Sequence, residues 1–369
     1  MKYKHACLLP FNHMAVRPDG KILPCCIYRW DDVPEDLNIF HPDPFNHPYM
    51  KNLREQMIKD EYVSGCTYCY QNEKTSGNSF RTAVDDAPDN FGIVNKIDNE
   101  SSLTYLDLSI SNTCNNKCRM CGPDLSTSWY SDAKKLKKKI PKGIIKNPFI
   151  ENGDFKNLRH LKILGGEPLM EQDVLIDILQ RCNLKLLSVN LVTNTTLRPN
   201  GELFALLKRC KSVNISLSVD SYGDLNSFLR SGSVWSTVKK NIKWYNKNFD
   251  ANVHSVASIY NINVLQDLIL FCKKINIPHN YVLIDGPDYM MPRNLPTKYK
   301  QDLISKFKHI MQKPNYLNYN IFNVAIKELS KQGDTELFLS VDKIMNDIRN
   351  ENWYNLNPEL YDAILEYKN

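Results

Sequence analysis

Residues 114–121 read Cys114-Asn115-Asn116-Lys117-Cys118-Arg119-Met120-Cys121, a C-x3-C-x2-C run that follows an apolar, strand-like stretch from Tyr105 to Ile110. A cubane iron–sulfur cluster has four iron corners and is held by cysteine thiolates. Three closely spaced thiolates on one loop serve three corners and leave the fourth iron open to a substrate or cofactor. The spacing therefore points to chemistry as well as structure. Two plainer readings compete with it. Free cysteines pack as small hydrophobes, but the polar neighbours Asn115, Asn116, Lys117 and Arg119 argue against a core strand. A structural zinc site needs a fourth ligand close by, and neither Cys nor His follows in the next turn.

Outward from that run, the 369-residue chain is too long for one small core and suggests a barrel-sized domain with a smaller one. Hydrophobic content of 42% and charged content of 24% are those of a globular protein. No run approaches the roughly 18 apolar residues of a membrane helix, and the N-terminus lacks an apolar stretch of signal-peptide length. A cytosolic location is expected, with no membrane partner. In that compartment eleven cysteines read as metal ligands before disulfides. The net charge of +6 names no partner. The run Lys134-Lys135-Leu136-Lys137-Lys138-Lys139-Ile140-Pro141-Lys142 has no interleaved aromatics. It reads as a solvated helix end and loop rather than a nucleic-acid surface.

From about residue 104, short β-branched runs alternate with longer amphipathic stretches. Strands are expected at Thr104–Ile110, His160–Leu164, Leu187–Val192, Val213–Val219, Val253–Ile259 and Asn280–Ile284. Helices are expected near Glu171–Arg181, Glu202–Cys210, Val234–Asn246 and Val264–Ile275, with a further one starting near Lys298. This alternation implies parallel strands joined by crossover helices. The expected fold class is α/β, a partial (βα)6 barrel. In closed barrels of this kind the site forms where strands end and βα loops begin, and the cysteine run follows the first strand. The tail from Pro314 onward reads as helical, for example Asp334–Asn350 and Pro358–Lys368. The expected division is a cysteine-rich module over 1–100, the barrel over 101–290 and a helical extension over 291–369.

The second strand is followed by Leu164-Gly165-Gly166-Glu167-Pro168, the third ends in Val192-Thr193-Asn194-Thr195, and the fourth gives Ser216-Leu217-Ser218-Val219-Asp220-Ser221. Glycines at a strand end let backbone approach a ligand closely, and a carboxylate accepts a hydrogen bond from an ammonium group. In a strand, Ser216, Ser218 and Asp220 share one face. The three-cysteine run, with the Gly-Gly-Glu turn one βα unit after it, resembles the signature of the radical S-adenosylmethionine (SAM) enzymes. The resemblance implies a [4Fe–4S] cluster on Cys114, Cys118 and Cys121 whose open iron chelates SAM. Reductive cleavage of SAM would then yield a 5′-deoxyadenosyl radical that abstracts a substrate hydrogen. It also implies that Gly165, Gly166 and Glu167 hold the methionine end of SAM. Asn194, Ser218 and Asp220 would lie near the ribose or substrate. Arg230, in Leu229-Arg230-Ser231-Gly232, would pair with the SAM carboxylate.

Four more cysteines are placed in the N-terminal segment. Cys7 and Cys25 flank an expected hairpin with the turn Arg17-Pro18-Asp19-Gly20. Pro-Asp-Gly supplies a fixed φ, a side-chain acceptor and a residue tolerant of positive φ. Cys66-Thr67-Tyr68-Cys69 adds a C-x2-C pair. Four thiolates can ligate a cluster fully, and on ligand count alone a four-cysteine zinc site is served equally well. The pattern, with Gly20 to Cys25 as Gly-x4-Cys, resembles the twitch module, the shortened form of the SPASM domain, which holds an auxiliary cluster. That module usually follows the barrel, whereas here it precedes it. The Gly-x4-Cys spacing favours Cys25 over Cys26. Cys182, Cys210 and Cys272 sit in helix-like or apolar surroundings and read as core residues.

The expected function is that of a radical SAM oxidoreductase or transferase acting on a peptidyl or small polar substrate. An electron donor such as a flavodoxin or ferredoxin would be its partner. A carbohydrate or nucleotide substrate is the first alternative. A non-catalytic metal-binding or redox-sensing protein is the second, and the Gly165-Gly166-Glu167 turn argues against it.

Overall fold

A computed structural model describes residues 3–94, 97, 101–141, 147–312 and 320–369. Eight strands form one sheet: β1 (His13–Val16), β2 (Ile22–Leu23), β3 (Tyr105–Ser109), β4 (His160–Leu164), β5 (Ser188–Thr193), β6 (Ser212–Ser218), β7 (Asp250–Ala257) and β8 (His279–Leu283). Their spatial order is β2-β1-β3-β4-β5-β6-β7-β8. Each strand expected from residue 104 onward is present, and helices Gln172–Gln180, Gly201–Arg209, Trp235–Asn248 and Leu265–Lys274 follow strands where expected. The tail carries helices Thr297–Met311, Ile321–Leu329, Thr335–Arg349 and Pro358–Lys368. Of the sequence features named above, Pro314 and Lys142 lie outside the described residues.

The N-terminal hairpin forms, but it is not set apart. β1 and β2 pair antiparallel around the Pro-Asp-Gly turn, where Gly20 has φ 82° and donates its N–H to Arg17 O at 2.9 Å. β1 also pairs parallel with β3, so the cysteine-rich segment extends the sheet. The chain forms two compact units. One holds residues 1–114, 141–192 and 198–214, and the other holds 115–140, 193–197 and 215–369.

Register in the first unit sorts the side chains into two faces. His13, Tyr105, His160 and Ser188 lie abreast, and so do Ala15, Asp107, Lys162 and Asn190. Strand periodicity places these residues on one polar face. Leu106, Leu108, Leu161, Ile163, Val189 and Leu191 take the other face and are buried. In the second unit, Asp334 caps the helix Thr335–Arg349 by accepting the Leu337 N–H at 3.0 Å, and Asn350 ends it at φ 51°. No helix among the described residues is long and apolar enough to cross a membrane.

Candidate active site

In the first unit, the residues that lead into Cys114 are welded to the Gly-Gly-Glu turn. Gly166 N–H donates to Ser111 O at 2.9 Å and Glu167 N–H to Thr113 O at 2.7 Å. Ser111 Oγ in turn donates to Glu171 Oε1 at 3.0 Å and accepts the Thr113 N–H at 3.0 Å. A Cβ at Gly165 would stand 2.6 Å from Ser111 O, and one at Gly166 2.2 Å from Thr113 O. Gly165 also has φ 123°, a value side chains resist. The glycines are thus required by close backbone approach at the strand end. Glu167 is buried and accepts the Leu169 N–H at 3.1 Å, with Cys114 buried at the end of the same segment.

In the second unit, Lys117 N–H donates to Ser231 O and Arg119 N–H to Leu229 O, both at 2.8 Å. These two bonds lay Cys118 opposite Arg230. The Arg230 guanidinium is paired with Asp220, Nε to Oδ2 at 2.7 Å. Asp220 is fully buried and accepts the Val256 N–H at 2.9 Å. Burial works against the Arg230 charge, but Asp220 and then the Cys118 thiol outweigh it and raise its pKa. Cys121 and burial push the Cys118 thiol well up, while Arg230 pulls it back. The guanidinium expected to meet a cofactor carboxylate is therefore engaged by Asp220 beside the cysteines, since a buried cation requires a counter-ion.

Asn194, Asn115 and Thr196 form a closed ring of side-chain hydrogen bonds. Asn194 Nδ2 donates to Asn115 Oδ1 at 2.8 Å, Asn115 Nδ2 to Thr196 Oγ1 at 2.9 Å, and Thr196 Oγ1 to Asn194 Oδ1 at 2.6 Å. Ser218 ends β6 half-buried. The polar residues of the cysteine run are not at a solvated surface: Asn116 and Arg119 are fully buried. Their polarity therefore did not mark exposure. It marks a buried polar network, with Ser126 Oγ donating to Asn116 O at 2.6 Å and Trp129 Nε1 to Cys118 O at 2.8 Å.

Cys7, Cys25, Cys66 and Cys69 line one cavity in the first unit, together with Tyr28 and Arg81. The hairpin returns Cys25 past the chain start. The helix Thr67–Ser76 begins at Cys66 and carries Cys69 in its first turn, where the helix dipole favours anions. Gly65 lies so close to the Tyr28 ring that a Cβ would fall 2.0 Å from it. Burial and then Asp85 push the Cys7 thiol well up. Burial and Cys69 push Cys66 up to about 12, and burial raises Cys69. A bonded Cys26 thiol and burial raise Cys25, whose sulfur accepts the Ile27 N–H at 3.5 Å. Arg81, buried beside them, donates to Ala6 O at 2.8 Å and to Glu73. Soft sulfur donors whose ionisation is opposed by burial and by one another fit a group that brings positive charge, as iron does. Among the described residues, no three His, Cys, Asp or Glu side chains stand at the spacing of one metal ion. No disulfide is present among them, and Cys272 is buried while Cys182 and Cys210 are partly so.

Sequence reasoning missed a buried ionic cluster on the polar sheet face. His13 Nε2 and Lys162 Nζ each stand 3.7 Å from a carboxylate oxygen of Asp107, and His13 and Asp107 are almost wholly buried. At that separation the contacts are ion pairs rather than hydrogen bonds. Burial raises the Asp107 pKa, but His13 and Lys162 overcome it and hold the carboxyl down to about 2. The His13 pKa is raised, because Asp107 outweighs the burial that would lower it. Cys26 does not line the cavity: its thiol is lowered chiefly by its bond to Cys25, against burial and Asp107, with His13 and Lys162 adding to the lowering. The one signal in the sequence was an acidic residue inside the run Tyr105-Leu106-Asp107-Leu108-Ser109.

Residues 108–272, a little under half of the chain, match the family model of the radical SAM superfamily. The match includes Cys114, Cys118, Cys121 and the Gly165-Gly166-Glu167 turn, and leaves the N-terminal cysteines outside it. Among solved structures, the chain is similar to native anSMEcpe with bound AdoMet at 17% identity, covering 61% of each chain with a TM-score of 0.40. It is similar to SuiB of Streptococcus suis bound to precursor peptide SuiA at 16% identity, covering 68% of this chain and 62% of that one with a TM-score of 0.33. The chain thus spans about three fifths of the length of these structures. No curated protein sequence matches it.

Proposed function

We propose that this protein is a radical SAM enzyme built on a partial (βα)6 barrel, and that it abstracts hydrogen from a peptidyl or small polar substrate. The observation that carries the reading is the weld between the Gly165-Gly166-Glu167 turn and residues 111–113, which reach Cys114. A purely structural metal site has no need of an amino-acid-binding turn fixed to its ligand loop. When bound, the cluster and SAM supply a 5′-deoxyadenosyl radical. The chain's own residues bind, orient and compensate charge. Cys114, Cys118 and Cys121 hold the cluster, and Asp220 fixes the Arg230 guanidinium beside the Cys118 thiol. Gly165, Gly166 and Glu167 receive the ammonium end of SAM, and Asn194 and Ser218 serve its ribose.

Cys7, Cys25, Cys66 and Cys69 hold an auxiliary [4Fe–4S] cluster in a twitch-like arrangement, with Arg81 as the buried cation beside it. A flavodoxin or ferredoxin serves as electron donor. The polar face with His13, Asp107, Lys162 and Asn190 favours a polar substrate over an apolar one. Twitch and SPASM enzymes commonly act on peptides, which is why a peptidyl group is preferred to a carbohydrate or nucleotide. The test is formation of 5′-deoxyadenosine by anaerobically reconstituted protein given SAM and a strong reductant, beside Cys118→Ala. Product from the wild type and none from the variant is expected. No product from protein that carries its cluster would sink the reading.

A further inference from the structure

Arg119 lies between two of the cysteines assigned to the SAM cluster, yet its side chain is committed elsewhere. It is fully buried. Nη2 donates to Asn346 Oδ1 at 2.7 Å and stands 3.4 Å from Glu351 Oε2, and Nη1 stands 3.8 Å from Asp342 Oδ1. The guanidinium stacks on Phe228 at 3.8 Å from the ring centre. Asp342 is itself held by the Tyr260 hydroxyl at 2.7 Å and by Trp353 Nε1 at 3.0 Å. Two further ties run parallel to this one. Asp132 accepts from Lys117 Nζ at 3.4 Å and from Arg349 Nε at 2.7 Å, and Arg349 lies over Trp129, whose indole N–H holds the Cys118 carbonyl. Glu351 also accepts from Ser231, the residue whose carbonyl receives the Lys117 N–H.

The residues that flank Cys118 are therefore gripped from the C-terminal helix Thr335–Arg349 and the residues just after it. The grip pairs cations and carboxylates in equal number: Lys117, Arg119 and Arg349 with Asp132, Asp342 and Glu351, all buried except Lys117 and Glu351, which are partly exposed. Such a set holds one arrangement, because Arg119, Arg349, Asp132 and Asp342 are buried and removing the partner of any of them leaves a buried charge uncompensated. We propose that the helix Thr335–Arg349 with Glu351 is a brace for the Cys118–Cys121 turn, and that Arg119 is the positioning residue through which it acts. The inference rests on the reading of Cys118 and Cys121 as ligands of the SAM cluster. It gives the C-terminal extension, otherwise without a motif, a role in fixing where two of the three thiolates point.

The test uses the full chain reconstituted with iron and sulfide. The readouts are the electron paramagnetic resonance signal missing from Cys118→Ala, its change on adding SAM, and the midpoint potential of that cluster. Arg119→Met keeps the cover over Phe228 and removes the charge. It is expected to shift the g-values and the potential and to lose the SAM-induced change, with Arg119→Lys restoring part of each. Glu351→Gln, at a position still partly exposed, is expected to shift them in the same direction by less, and it carries the test if Arg119→Met does not fold. Lys298→Ala, which breaks only the exposed pair with Glu366 at 2.8 Å, is expected to match wild type. A SAM-sensitive wild type with Arg119→Met and Glu351→Gln indistinguishable from it would overturn the brace alone. Equal shifts in Lys298→Ala would overturn it as mere destabilisation. A wild type without any SAM-sensitive signal would overturn the reading of the cysteines and the brace with it.

Discussion

Cys25 and Cys26 are neighbours in the chain with their thiols hydrogen-bonded to each other, yet only Cys25 lines the cavity. Cys25 joins Cys7, Cys66 and Cys69 at one cavity, while Cys26 faces His13, Asp107 and Lys162. If the cavity holds a cluster, Cys25→Ser should lower iron per chain by about half after reconstitution, because one of two four-iron clusters is lost. Cys26→Ser should leave the iron content unchanged. Iron and acid-labile sulfide assays check this, and equal losses in the two variants would contradict the assignment. Gly-x4-Cys spacing already favoured Cys25. Arg230 was legible as an arginine near the site but not as the partner of Asp220, since a residue type does not state which charge it will meet. The same holds for Arg119, whose polarity argued against a core strand without naming a partner and whose environment is a buried network.

At the scale of elements, the pairing of β1, β3 and β4 brings His13, Asp107 and Lys162 together and couples sheet stability to pH. Asp107 ionises at about 2 in the fold against 3.8 ordinarily, so its contribution is complete above about pH 4 and is lost as pH falls toward 2. That contribution is on the order of 2 kcal/mol. His13 has a raised pKa, so its contribution is complete below its ordinary 6.5 and is lost as pH rises through the folded value. In Asp107→Asn burial, the largest influence, is opposed on His13 only by the Cys26 thiol and the Pro24 carbonyl, so its pKa is expected to fall and the sign to reverse. Wild-type stability should therefore fall between pH 6 and 8 through this group, and the Asp107→Asn contribution should rise. Urea unfolding of both proteins at the two pH values measures the difference, and parallel slopes would refute the coupling. Every strand from residue 104 onward, and the longer helices that follow those strands, were legible from the alternation of short β-branched runs with amphipathic stretches, whereas the short helices Tyr130–Lys135, Pro148–Asn152 and Asp224–Leu229 were not. The β1–β3 pairing was not, because local periodicity carries no information about which distant strand supplies the neighbouring hydrogen bonds.

For the whole molecule, the four N-terminal cysteines tie the start of the chain to residues 66–69 within one compact unit. A group bound by the folded chain and not by the unfolded one stabilises the folded state by mass action. Iron-loaded protein should melt at a higher temperature than the metal-free chain under anaerobic conditions. Cys66→Ala should lose most of that gain, and Cys118→Ala should keep most of it. Differential scanning calorimetry decides the point, and a gain untouched by Cys66→Ala would show that the N-terminal cysteines hold no stabilising group. The helical tail contributes differently: it grips the residues around Cys118 through Asp342, Asn346, Arg349 and Glu351.

By itself the sequence determined the α/β class, the strands from residue 104 and the longer helices between them, and the three-cysteine and Gly-Gly-Glu motifs. These features are encoded locally, in periodicity, spacing and glycine at a crowded turn. Only the tertiary structure decided that the N-terminal hairpin extends the sheet, that Cys25 rather than Cys26 lines the cavity, and that Asp220 takes Arg230. It alone showed that Arg119 is anchored more than two hundred positions downstream. Such pairings are set by which buried charges find one another once the chain has collapsed. A buried charge without a partner is too costly to persist, but the partner's address is written nowhere near it.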